Sequence, residues 1–175
     1  MIYILMSTPT LEQINQIIKK STGSNDPVDP ISQITPWIFL GQGRTTNYIS
    51  LLCQLGITHV LSIGRKPNNP VLNSTLIRSE FGNVMDLSSD NVSQYFPTMF
   101  EFLRLVDQSH GKVYIHCEMG CSRSAMVVIA FLRANGIVAS LQDAYQLVKN
   151  KRTWIRPNDG FIQQLRDFFC ESLNI

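Results

Sequence analysis

Lys112-Val113-Tyr114-Ile115-His116-Cys117-Glu118-Met119-Gly120-Cys121-Ser122-Arg123-Ser124 is the stretch from which the rest of the chain is read. Its first four residues form a short apolar run rich in β-formers, which predicts a buried strand. From Ser124 to Asn135 the chain is apolar with few breakers, which predicts a buried helix. Between them lies a short loop containing a glycine. A strand, such a loop and a helix N-terminus make an anion site, because the loop N–H groups turn inward and the helix dipole favours negative charge.

The residue types in the loop suit attack on a phosphate. A thiolate attacks where a thiol does not, and a helix N-terminus with cationic neighbours favours the thiolate. Cys117 is the expected nucleophile. Arg123 offers a planar fork that holds two phosphate oxygens and never loses its charge. Gly120 allows a positive φ and a close backbone approach. Ser124 can donate a hydrogen bond to the Cys117 sulfur and ease its departure. Glu118, Met119, Gly120, Cys121, Ser122 and Arg123 then line the anion. Cys121 is expected as pocket wall rather than as a redox partner of Cys117. His116 is expected to hydrogen-bond the loop backbone and hold Cys117 in place.

Outward from this stretch, helical spacing of Leu11, Ile14, Ile17 and Ile18 predicts a helix over Thr8 to Lys20, and Ser21 to Pro30 reads as a loop. Strands are expected at Trp37–Leu40 and His59–Ile63, and more weakly at Thr75–Ile77 and Asn83–Met85. Helices are expected at Thr46–Leu55, Val92–Val106, Leu141–Asn150 and Asp159–Leu173. Lys66-Pro67-Asn68-Asn69-Pro70 reads as a turn. Strands alternating with helices predict an α/β layer fold.

A general acid is needed for the leaving oxygen. Asp86, in Val84-Met85-Asp86-Leu87-Ser88-Ser89-Asp90, ends a candidate strand and opens a loop. Asp90 is its competitor, but it stands where an Asp caps a helix. Asn158 is expected to start the last helix and also to support the catalytic loop.

His116-Cys117-x-x-Gly120-x-x-Arg123-Ser124 resembles the signature of the cysteine-dependent phosphatases. Ile34-x-x-Trp37-Ile38-Phe39-Leu40-Gly41, Gly56-Ile57-Thr58-His59-Val60-Leu61-Ser62-Ile63 and Pro157-Asn158-Asp159-Gly160-Phe161 with Gln164-Leu165 resemble the small, atypical dual-specificity phosphatases in particular. The resemblance implies a central, mostly parallel five-stranded sheet flanked by helices. The N-terminal helix and loop would span 1–30 and the catalytic domain 31–175. It implies hydrolysis of phosphotyrosine and phosphoserine/threonine through a cysteinyl-phosphate, with Asp86 as acid and without metal or cofactor. Phosphorylated proteins are the implied partners. Other readings on the same fold are a phosphatase for RNA 5′ ends, lipids or sugars, and a phosphopeptide-binding pseudoenzyme.

Composition agrees with a single globular domain. The chain has 175 residues, 44% hydrophobic and 16% charged, with a net charge of +2. That charge is too small to argue for nucleic acid or a membrane surface. No apolar run approaches the ~20 residues of a membrane span. The four cysteines (53, 117, 121, 170) show no zinc spacing. A needed thiolate points to a reducing compartment, the cytoplasm and also the nucleus. The chain departs from its relatives in two places. Glu118 puts an anion beside the nucleophile. Thr153 replaces a frequent basic residue, leaving Lys151, Arg152 and Arg156 either to meet a second phosphate or to stand as solvated surface charges.

Overall fold

A computed structural model describes residues 10–21, 30–64, 76–81 and 83–175. The described elements are α1 (Leu11–Ser21), β1 (Ser32–Gln33), β2 (Ile38–Gln42), α2 (Ile49–Gln54), β3 (His59–Ile63), β4 (Ile77–Phe81), α3 (Phe96–Gln108), β5 (Val113–Cys117), α4 (Arg123–Ala134), α5 (Leu141–Lys151) and α6 (Asp159–Phe169). The sheet runs β1-β2-β5-β3-β4; β1 is antiparallel and the other pairs are parallel.

β5 is flanked by β2 and β3, and every residue of all three strands is buried. Parallel strands covered on both faces require such continuous apolar runs. The two-residue alternation divides their side chains between two cores. Ile38, Leu40, Leu61, Ile63, Val113 and Ile115 face the larger cluster, built with α3 to α6. Phe39, Val60 and Tyr114 face a smaller one with Leu51, Leu52 and Ile57. Ile14 of α1 belongs to that second cluster, so α1 packs on the sheet. α4 is buried from Arg123 to Leu132, as an all-round apolar helix at the centre of a fold must be.

Several boundaries differ from the sequence reading. Asn83–Met85 is not a strand. Val84 O accepts from the Arg123 guanidinium and the Met85 N–H donates to the Asp90 carboxylate, so side chains take up these backbone groups. The strand here is β4, which begins at Ile77, the last residue of the expected Thr75–Ile77, and runs on to Phe81. The helix expected from Val92 begins as a 3-10 turn at Ser93–Tyr95 and becomes α-helical at Phe96, with Pro97 in its first turn. The last helix ends at Phe169, because Cys170 turns left-handed at φ 52°. The edge strand β1 is additional. Residues 1–9, most of the expected Ser21–Pro30 loop, the Lys66–Pro70 turn and Thr75 lie outside the described residues. Among the described residues no helix is long and apolar enough to cross a membrane.

Candidate active site

Parallel register pairs Gln42 with Cys117, placing the thiol at the C-terminal end of a central strand. Open α/β sheets form their crevices at that edge. Cys117 is 3% exposed. Its Sγ accepts from the Gly120 N–H at 3.2 Å and from Ser124 Oγ at 3.2 Å. Gly120 sits at φ +66°, and a Cβ there would collide with the Gly41 carbonyl, so conformation and space both demand glycine. His116 Nδ1 lies 3.2 Å from Cys117 O and Nε2 lies 2.8 Å from Ser62 Oγ. A carbonyl only accepts, so Nδ1 carries the proton, and in the neutral ring Ser62 donates to Nε2. The ring also stacks on Tyr114.

Arg123 opens α4 and is buried. One guanidinium nitrogen donates to Val84 O at 3.1 Å. Its Nε makes no hydrogen bond and stands 3.7 Å from Asp86 Oδ2. Gly64, at φ +93°, leaves room that a side chain would take from Arg123. Asp86 is exposed at the mouth. Its Oδ1 accepts from Ser122 Oγ at 2.7 Å and from Asn158 Nδ2 at 2.9 Å. Ser122 therefore serves the carboxylate instead of capping α4 with its side chain.

Asp90 does not cap a helix. Its carboxylate accepts from Met85 N–H at 2.6 Å, while Asn91 Oδ1 takes the Gln94 N–H at 3.1 Å. The Asp86 loop rests on α6. Gln164 accepts from the N–H groups of Val92 and Ser93 and donates to Asp90 O. At Gly160 a Cβ would run into the Ser88 backbone. Asn158 both caps α6, accepting from Phe161 N–H at 3.0 Å, and holds Asp86.

Within the loop after β5, Glu118 and Met119 are exposed, Cys121 is half-buried and Ser122 is buried. Arg152 is no surface charge. It is fully buried, with Nε 2.7 Å from Gly120 O and its terminal nitrogens near Met119 O, Pro30 O and Ser32 Oγ. Lys151 and Arg156 are exposed. Gly43, whose N–H donates to Glu118 O at 3.0 Å, is not singled out by the sequence, and Ser62 and Gln164 appear there only as part of a resemblance. Their partners lie far away in the chain, and no local pattern marks them.

A thiol caged by loop donors at a sheet edge, with a guanidinium and a carboxylate at its mouth, defines a cysteine-centred anion site. Residues 38–170 match the family described as dual specificity phosphatase, catalytic domain, and the chain belongs to that family. It is 33% identical to mouse dual specificity protein phosphatase 19 over 79% of this chain and 61% of that protein. It is 34% identical to human dual specificity protein phosphatase 6 over 83% of this chain and 38% of that protein. The chain thus spans less than two thirds of either relative. Among solved structures, human tyrosine phosphatase-like serine/threonine/tyrosine-interacting protein superposes at TM-score 0.73 with 30% identity, over 80% of this chain and 95% of that one. A mouse putative dual specificity phosphatase complexed with zinc tungstate superposes at TM-score 0.72 with 26% identity, over 83% and 89%.

Proposed function

We propose that the chain is a protein phosphatase of dual specificity, hydrolysing phosphotyrosine and phosphoserine/threonine through a cysteinyl-phosphate. The observation that carries this is the meeting of four groups at one pocket: Cys117 Sγ, Ser124 Oγ on it, Arg123, and Asp86 held beside Arg123. The Cys117 thiolate attacks phosphorus and forms the S–P bond as the P–O bond to the leaving oxygen breaks. Asp86 gives its proton to that oxygen. Arg123 and the loop N–H groups neutralise the equatorial oxygens, so no metal is asked for. Water then attacks the cysteinyl-phosphate, with Asp86 taking its proton. The S–P electron pair returns to Cys117, where the Ser124 hydroxyl receives it.

Residues 31–175 act as the catalytic domain, with the segment before them joined to it through α1. A working thiolate suits a reducing compartment, the cytoplasm or nucleus. The exposed carboxylate of Glu118 beside the nucleophile disfavours polyanionic lipid and RNA substrates. The test is turnover of matched phosphotyrosine, phosphoserine and phosphothreonine peptides, phosphoinositides and RNA 5′-phosphates, with and without chelator. Chelator-insensitive hydrolysis of the peptides is expected. Preference for lipid or RNA overturns the reading.

A further inference from the structure

We propose that Arg152 is a positioning residue of the catalytic loop, aiming two consecutive backbone N–H groups at the bound phosphate from behind. In a trans peptide the C=O and the following N–H point in opposite directions. The Arg152 guanidinium holds Met119 O at 3.3 Å and Gly120 O at 2.7 Å. Both carbonyls are thereby drawn to the outside of the loop, which turns the Gly120 and Cys121 N–H groups to the inside. The Gly120 N–H does point inward, donating to Cys117 Sγ at 3.2 Å. On either side of these units the outward carbonyls have backbone donors: Gly43 N–H on Glu118 O at 3.0 Å and Arg156 N–H on Cys121 O at 2.8 Å. Arg152 is the side chain that completes the row.

A guanidinium suits this place. Its fork reaches two carbonyls at once, and its fixed charge polarises both peptide units, strengthening their N–H groups as donors. It is itself fixed. The Trp154 ring centre lies 4.5 Å from the guanidinium carbon, and one terminal nitrogen also donates to Pro30 O at 2.8 Å and Ser32 Oγ at 3.3 Å. Ser32 of the edge strand β1, and Pro30 just before it, are thus joined to the catalytic loop through one side chain.

The inference rests on the loop being a phosphate cradle. The full chain is tested as wild type, Arg152→Lys and Arg152→Met, reading tungstate affinity, kcat and KM for a small aryl phosphate, and Tm. Arg152→Met is expected to weaken tungstate binding at least ~10-fold and to lower kcat/KM by about 10²-fold, the size of losing one oxyanion donor. Arg152→Lys, which keeps the charge and one carbonyl contact, falls between. A lowered Tm with unchanged tungstate affinity and kcat in the folded variant overturns the proposal and leaves Arg152 a packing residue. Where Arg152→Met does not fold, Arg152→Lys decides by the same criterion. A third measurement needs no variant: the Arg152 Nε–H resonance of ¹⁵N-labelled wild type should shift on adding tungstate, and an unmoved resonance overturns the proposal. Failure of wild type to bind tungstate would instead refute the phosphate-cradle reading.

Discussion

Asn158 Nδ2 donates to Asp86 Oδ1 at 2.9 Å, although 72 positions separate the two residues. The same Asn158 side chain accepts the Phe161 N–H and caps α6. One amide therefore ties the carboxylate at the pocket mouth to the start of the last helix. The two roles are separable, because Ser also caps well but is too short to reach Asp86. Asn158→Ser should leave Tm close to the parent value. It should lower kcat for alkyl phosphates roughly tenfold, the worth of one hydrogen bond to a charged group. Thermal melts and turnover of alkyl and aryl phosphates check this; equal losses on both substrates would show that Asn158 does not act through Asp86.

Cys117→Ser should abolish turnover and retain tungstate binding. Gly120 N–H, Ser124 and Arg123 all remain, while a serine hydroxyl is a far weaker nucleophile. Calorimetry with tungstate and a discontinuous phosphate assay test the pair of outcomes. Turnover above a few per cent would remove Cys117 from its role.

Asp86→Asn should slow hydrolysis of alkyl phosphates by on the order of 10²–10⁴-fold, with a smaller loss for aryl phosphates whose leaving groups need less protonation. Asp90→Asn should affect activity much less, since the Asp90 carboxylate is bound to Met85 N–H. A larger defect from Asp90→Asn would transfer the acid to that residue.

Phosphopeptides should be turned over faster than phosphoinositides. Like charges ~4 Å apart near a surface repel by ~4 kcal/mol before screening, enough for a tenfold preference against extra phosphates near Glu118. Arg152 is committed to the loop carbonyls, so Lys151 and Arg156 are the exposed cations of that cluster left to read a second phosphate. Glu118→Gln should raise relative activity on phosphoinositides, measured as kcat/KM at two salt concentrations. No change would clear Glu118 of any part in selectivity.

Acid should destabilise the fold in two windows. Burial lowers His59 below its ordinary 6.5. The unfolded chain therefore binds that proton first, and stability present above pH 6.5 is lost as pH falls below it. The Arg133 guanidinium, with the Leu141 N–H, holds Glu171 below its ordinary 4.5. Its contribution is present above pH 4.5 and disappears as pH falls through the folded value. Urea midpoints at pH 7.5, 5.5 and 4 should decline stepwise in wild type. His59→Asn should flatten the first step, and Glu171→Gln the second.

The strand–loop–helix around Cys117 was legible because its chemistry is local. Strand β5, the glycine turn, Arg123 and Ser124 lie within one short stretch, and the buried runs of β3 and α4 announce themselves by composition. The sequence marked Asp86 by its place at the head of a loop, and the fold brings its carboxylate 3.7 Å from Arg123 Nε. The path from Asn83 to Met85 was misread as a strand, because an apolar pattern does not reveal that Arg123 and Asp90 side chains satisfy its backbone.

By itself the sequence determined which groups meet in the loop after β5, since covalent order and backbone conformation set the spacing of Cys117, Gly120, Arg123 and Ser124. Only the tertiary structure decided what holds those groups still. Ser62 behind His116, Gly43 and Arg152 behind the loop carbonyls, and Gln164 and Asn158 behind the acid loop come from elements distant in the chain. An arginine between two polar neighbours reads as surface charge. Arg152 becomes a buried brace because β1, the catalytic loop and the end of α5 converge around it, and a buried guanidinium must satisfy its donors with whatever acceptors that packing brings.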